Sequence, residues 1–228
     1  MPEVVAAGHL CLDIIPSFLS AGVMLEPGTL SEVGPVTFST GGAVSNVGLA
    51  LHKLGVTTSL VGRVGDDDFG VILRRLLSAQ LRATGGVVVA PGESTSYTVV
   101  LSPPDTDRIF LHHPGCNDTF AAADVDISAL AGARAFYFGY PPIMRAFYSD
   151  GGRALAGLLR EIRARGVTTV LDMAMPDPRS ASGRVDWPAF LARVLPHADL
   201  FMPSLEETLF MLAREAFANK VYAKEVPP

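Results

Sequence analysis

Ser39-Thr40-Gly41-Gly42-Ala43-Val44-Ser45-Asn46 joins two kinds of periodicity. Before it, Thr29 to Ser39 alternates weakly, as a strand does. After it, Val44, Val47, Leu51 and Leu54 recur at helical spacing, with Gly55 where a C-cap glycine belongs. The stretch therefore reads as strand, glycine turn, helix. The pattern recurs at once: Thr57 to Val64 is a β-branched run, and Phe69, Ile72, Leu73, Leu76 and Leu77 mark one face of a second helix.

Outward from this unit the alternation continues. Val4 to Ile15 reads as a buried first strand that leaves the core near Asp13. Val87 to Ala90, Ala135 to Gly139, Val167 to Met173 and Leu200 to Met202 read as further strands. Leu155, Leu158, Leu159 and Ile162 predict a helix stopped by Gly166. Ser94 to Leu101 and Arg108 to His112 predict a hairpin around Pro103-Pro104-Asp105, which interrupts the alternation. Strands alternating with helices predict an α/β fold, with a mainly parallel sheet covered by helices on both faces.

The chain has 228 residues, a length that suits one domain, and it shows no internal repeat or low-complexity linker. A net charge of -5 argues against a nucleic-acid or anionic-membrane surface. Two cysteines, Cys11 and Cys116, are too few for a disulfide scaffold and suit a reduced, cytoplasmic setting. We find neither a signal-peptide pattern at the N-terminus nor an apolar stretch of transmembrane length.

In a parallel sheet, ligands gather outside the carboxyl ends of the strands. Four polar places fall there: Asp13; the Gly41-Gly42 turn with Asn46; Asp172; and Pro203-Ser204-Leu205-Glu206-Glu207. Gly41 and Gly42 let backbone approach a ligand, and Asn46 can both donate to and accept from hydroxyls; a tight turn with a solvated Asn46 is the plainer alternative. Asp13 suits bidentate contact with vicinal hydroxyls, or simply ends a strand. Asp172 ends a strand before a proline-rich loop that it could cap. Ser204 and Glu207 form a Ser-x-x-Glu capping box. Asp66-Asp67-Asp68 looks like a metal cluster but more simply caps the second helix. His112, His113 and Cys116 suggest zinc, yet lack third and fourth ligands at suitable spacing.

Three segments taken together, Gly8-His9-Leu10-Cys11-Leu12-Asp13, Gly41-Gly42-Ala43-Val44-Ser45-Asn46 and Gly62-Arg63-Val64-Gly65-Asp66-Asp67-Asp68-Phe69-Gly70, resemble the ribokinase-like (PfkB) carbohydrate kinases in order and spacing. That resemblance implies a three-layer αβα sandwich with a small β-sheet lid, built here from residues 14–38 and 94–112. It implies ATP-dependent phosphoryl transfer to a sugar hydroxyl, with ATP and Mg2+. Asp13, Gly41, Gly42 and Asn46 would lie on the sugar, with Asn117, from a Pro-Gly-small-Asn segment, and Asp172 also bordering the substrate. Ser204 and Glu207 would lie on the phosphate side, matching a Pro-Asn-x-x-Glu motif whose glutamate organises Mg2+ through water. Ser204 replaces the usual asparagine, and Ala43 and Val44 depart from common relatives, which leaves the acceptor open between sugar and nucleoside.

Gly115-Cys116-Asn117-Asp118 mimics the family's Gly-Ala-Gly-Asp segment, but it lies directly after the lid and lacks the glycine that opens the helix N-terminus to phosphate. The resemblance therefore implies a single domain over residues 1–228, incomplete at its C-terminus, with the catalytic aspartate beyond Pro228 and negligible turnover. A homodimer through the lid is implied as well. Other function classes consistent with these residues are a nucleoside kinase and a non-catalytic sugar- or nucleoside-binding regulator.

Overall fold

The computed structural model describes residues 1–18, 27–81, 84–104 and 107–225; beyond position 219 only the backbone is described. Ten strands and seven α-helices appear among these residues. They run β1 (Val4–Gly8), β2 (Cys11–Pro16), β3 (Val36–Gly41), α1 (Ala43–Lys53), β4 (Thr58–Gly65), α2 (Asp68–Gln80), β5 (Gly86–Ala90), β6 (Tyr97–Leu101) and β7 (Ile109–His113). Then follow β8 (Ala135–Gly139), α3 (Arg145–Tyr148), α4 (Arg153–Arg163), β9 (Thr168–Asp172), α5 (Trp187–Val194), β10 (Leu200–Met202), α6 (Leu205–Leu212) and α7 (Arg214–Glu225).

The central sheet has the order β10-β9-β8-β1-β4-β5, and all of its pairings are parallel. Two apolar cores flank it. One packs α1 and α2 through Val44, Leu73 and Leu77 against Leu60 and Val64. The other gathers Phe136, Phe138, Phe147, Leu159, Trp187 and Phe190 beneath α4 and α5. The sheet is thus the middle of three layers, as an apolar-faced parallel sheet requires.

A second sheet, of order β3-β2-β6-β7, stands apart. Its β6–β7 hairpin has the expected antiparallel form, with a turn whose residues 105–106 lie outside the described residues. Of the predicted lid, residues 19–26 also lie outside them.

Three sequence expectations change. The strand expected over Thr29 to Ser39 begins only at Val36 and runs to Gly41. The run from Val4 to Ile15 is two strands belonging to different sheets: the chain leaves the central sheet at Gly8 (φ 123°) and enters the small sheet at Cys11. Asp13 therefore lies within a strand rather than ending one. A Cβ at Gly8 would stand 2.3 Å from the Gly139 carbonyl oxygen, so this crossing demands glycine. In α1, the buried face comprises Ala43, Val44, Ser45, Gly48 and Leu49, and Leu54 is exposed. The helix is rolled because Gly48 meets the Leu60 side chain, where a Cβ would stand 2.2 Å from a methyl carbon.

Candidate functional site

The strand crossing at Gly8 places the small sheet over the carboxyl ends of β1 and β8, and a cavity of about 880 Å3 opens between the two sheets. Asp13, Gly42 and Asn46 line it together, contributed by β2, the β3–α1 turn and α1. His9, Cys11, Thr98, Arg108, Phe110, His112 and Tyr140 extend the wall.

The local sequence explains each placement. Gly42 adopts φ 85°, ψ 164°, a conformation that side chains resist, and a Cβ there would stand 2.6 Å from the His9 carbonyl oxygen. Gly41 pairs across from Cys11, and a Cβ on it would stand 2.3 Å from Asp13 Oδ1. Each glycine thus makes room for something specific: Gly42 for the β1–β2 crossing, Gly41 for the carboxylate.

Asp13 is half-buried, and burial raises its carboxyl pKa, opposed by a hydrogen bond from Cys11 and by the nearby Arg108. Cys11 Sγ donates to Asp13 Oδ1 at 3.5 Å, which leaves carboxylate lone pairs available to other donors. Asn46 is exposed on the first turn of α1, near the Tyr140 hydroxyl, whose pKa is raised chiefly by burial.

Tyr140 is the one non-glycine residue with positive φ (68°) among the described residues. Its amide donates to the Asp172 carbonyl at 3.1 Å, and Pro141 and Pro142 follow, so the turn is fixed from both sides. Strain of this kind is kept where surrounding structure over-determines it, and here it aims an aromatic ring at the cavity. The sequence reading overlooked Tyr140, although Gly-Tyr-Pro-Pro directly after a strand was a signal. It also overlooked His9, an isolated polar residue in an apolar run, and Thr98, the last of the polar residues of Ser94-Thr95-Ser96-Tyr97-Thr98.

The remaining predicted residues stand off the cavity wall. Asn117 is fully buried: Leu10 N donates to its Oδ1 at 3.2 Å, and its Nδ2 donates to Leu10 O at 2.9 Å. Both ends of the amide are therefore committed to the backbone between β1 and β2. Asp172 accepts from the Tyr137 hydroxyl at 2.5 Å and from Met173 N at 2.9 Å. Burial raises its carboxyl pKa, and the nearby Glu207 raises it further. Glu207 closes the capping box of α6, its Oε2 accepting from Ser204 N at 2.7 Å and Ser204 Oγ accepting from Glu207 N at 3.2 Å. Asp172 and Glu207 thus form a second acidic place, at the ends of β9 and β10.

The metal-like clusters resolve into structural bonds. Asp67 caps α2 by accepting from Gly70 N at 2.9 Å, and it also accepts from Thr95 N at 2.8 Å; Asp66 accepts from Gly92 N at 3.0 Å. His113 bonds Ser94 Oγ at 3.0 Å, while burial pushes the Cys116 thiol up to about 11.

Comparison with known proteins decides the family. The sequence pattern of the pfkB family carbohydrate kinases matches residues 1–226. This chain is a member of the pfkB carbohydrate kinase family. Fructokinase-1 of Oryza sativa subsp. japonica and Fructokinase-1 of Zea mays are each 30% identical to it over 138 residues, 60% of this chain and 41% of theirs. The pfkB chain thus spans about two-fifths of the length of the curated relatives it matches. Among solved structures, a fructokinase with bound ATP from Xylella fastidiosa superposes with a TM-score of 0.70 at 20% identity, covering 98% of this chain and 68% of that one. A structure described as a putative ribokinase from Agrobacterium tumefaciens gives 0.69 at 20% identity, with 98% and 67% covered. These likenesses establish the ribokinase-like fold of this pfkB chain, with its six-stranded parallel sheet and separate four-stranded sheet.

Proposed function

We propose that residues 1–228 form the acceptor-binding portion of an ATP-dependent carbohydrate kinase, with a ketohexose-like sugar as the acceptor. The convergence of Asp13, Gly42 and Asn46 from three elements on one cavity between the sheets carries this reading. A carboxylate and a carboxamide with spare hydrogen-bonding capacity suit vicinal hydroxyls, and Tyr140 and Phe110 offer apolar surface to a sugar ring. Matches to fructokinases favour a sugar over a nucleoside.

In this assignment Asp13 and Asn46 orient the acceptor, and Gly42 lets it approach the start of α1. Asn117 acts as a positioning residue, holding the β1–β2 crossing from which Asp13 projects. The small sheet is the lid, excluding water that would compete with the acceptor hydroxyl for the phosphoryl group. Hard oxygen donors fit Mg2+, and Asp172 and Glu207 are the two carboxylates that would hold it, with waters and nucleotide phosphates completing its shell. Bound Mg2+ would neutralise charge on the transferring phosphoryl group. We assign no base within residues 1–228 and expect negligible turnover; ATP-dependent sugar phosphorylation by this chain would overturn that part.

Calorimetric titration with D-fructose, D-ribose and adenosine tests the reading. Binding of D-fructose in preference to adenosine, weakened at least tenfold by Asp13→Ala, is the expected result. Preferential binding of adenosine, or sugar binding indifferent to Asp13→Ala, would refute it.

A further inference from the structure

On its cavity face the small sheet carries a row of polar side chains that crosses β2, β6 and β7. Asp13 is paired with Thr98 and Thr98 with His112, while Cys11 stands two residues before Asp13 and so shares its face. Contacts run along this row without a break. Cys11 Sγ donates to Asp13 Oδ1 at 3.5 Å and lies 3.7 Å from Thr98 Oγ1, both lengths reflecting the large radius of sulfur. Thr98 Oγ1 lies 3.0 Å from His112 Nδ1, and His112 Nε2 lies 3.4 Å from His9 Nε2. His9 stands between β1 and β2 at the end of the central sheet, so this last contact joins the two sheets. It is the weakest link, longer than the ~2.7–3.2 Å usual for an N–H donor.

Counting protons along the row fixes its direction. An ionised carboxylate only accepts, so the single Cys11 proton goes to Asp13 and the sulfur can only accept from Thr98. The single Thr98 hydroxyl proton then points at Cys11, and its oxygen must accept from His112 Nδ1–H. Burial lowers the pKa of both imidazoles, so near neutral pH each ring carries one proton. His112 Nε2 is therefore bare and accepts from His9 Nε2–H, which leaves His9 Nδ1 bare as well. Two further observations agree with that end point. His9 Nδ1 is buried without a hydrogen-bond partner, and orphaned acceptors are commoner in protein interiors than orphaned N–H donors. A Cβ on Gly42 would stand 2.7 Å from the same nitrogen, so Nδ1 faces the Gly42 Cα–H, a neighbour that suits a lone pair better than an N–H.

We propose that His9, His112, Thr98 and Cys11 form a hydrogen-bonded chain of fixed polarity, every donor pointing towards Asp13, and that they act as positioning residues for its carboxylate. The chain holds Oδ1 towards Cys11, leaves Oδ2 to the acceptor, and couples that arrangement to the seating of the small sheet on the central sheet. The charged and titratable groups that face it are Arg108 near Asp13, His113 and Asp118 near His112, and Tyr140 beside His9. The positioning role rests on the assignment of Asp13 to the acceptor; the polarity of the chain does not.

Long-range proton–nitrogen NMR of the histidine-labelled chain, at neutral pH and without sugar, tests the polarity. His9 should carry its proton on Nε2 and His112 on Nδ1. Cys11 bonds neither imidazole, yet Cys11→Ala should free the Thr98 hydroxyl to turn towards His112, so that His112 becomes a mixture of both tautomers. Cys11→Ser should restore the single one. D-fructose affinity should fall about threefold or more in Cys11→Ala and return in Cys11→Ser. A wild-type His112 protonated on Nε2, or a His112 tautomer indifferent to Cys11→Ala, would overturn the chain; sugar affinity indifferent to Cys11→Ala would overturn its positioning role. The wild-type tautomers stand as a readout even if a variant fails to fold. A wild type that took up no D-fructose would refute the acceptor reading, with the tautomers still deciding the chain.

Discussion

At the scale of single residues, conformation and charge make separate demands. Gly42→Ala would force a side chain into φ 85°, ψ 164° and against the His9 carbonyl. We expect a loss of about 2–4 kcal/mol in urea unfolding, from strain and clash together. Tyr140→Gly should weaken sugar binding through the lost ring, while relief of positive-φ strain offsets only part of the packing that the ring makes against the core under α1 and α2. Sugar affinity unchanged in this variant would remove Tyr140 from the site. Asp13 couples binding to pH. Because burial raises its pKa, the folded chain holds this proton more tightly than the unfolded chain does. That contribution to stability is fully present below the ordinary carboxylate pKa and is lost as pH rises through the raised value. Asp13→Asn should therefore raise the Tm at neutral pH by about 2 °C. Sugar affinity in the wild type, which uses the carboxylate, should fall as pH drops through the same raised value; a flat profile would remove Asp13 from the site.

At the scale of elements, the β1–β2 crossing is the joint on which the site depends. Asn117→Ala removes two hydrogen bonds to Leu10 and leaves buried backbone groups unpaired. We expect a loss of about 2–4 kcal/mol by chemical denaturation, together with weaker sugar binding. Much of this level was legible in the sequence. The runs at Ala135–Gly139 and Leu200–Met202, the helical face of Leu155, Leu158, Leu159 and Ile162, and the capping box at Ser204 all rest on local periodicity or local bonds. The crossing itself was hidden, because an apolar run has the same composition whether it serves one sheet or two. Asn117 reads as a polar residue near a ligand, whereas its partners lie 107 positions away in the chain. The roll of α1 depends on Gly48 meeting Leu60, a tertiary contact that helical periodicity does not encode.

At the scale of the molecule, an all-parallel sheet with a separate small sheet follows from the order of elements, and the family resemblance anticipated how they assemble. The cavity belongs to this scale, since its polar residues come from both sheets. The small sheet also has an outer face. Val36, Phe38, Ile109 and Leu111 are exposed on it, with Phe38 41% and Leu111 55% accessible. Contiguous apolar surface of this kind marks a partner site, and a second copy of the chain is the occupant we expect. Light scattering should show a dimer that Leu111→Lys converts to monomer; a wild-type monomer would contradict this.

The most direct measurement for the account as a whole is a crystal structure of the chain with D-fructose at saturating concentration. Sugar hydroxyls within about 2.6–3.2 Å of Asp13 and Asn46, beneath the small sheet, are the result the account predicts. A sugar bound elsewhere would contradict it, for example in the hollow of about 650 Å3 lined by His52, Thr58 and Gln80 at the start of β4.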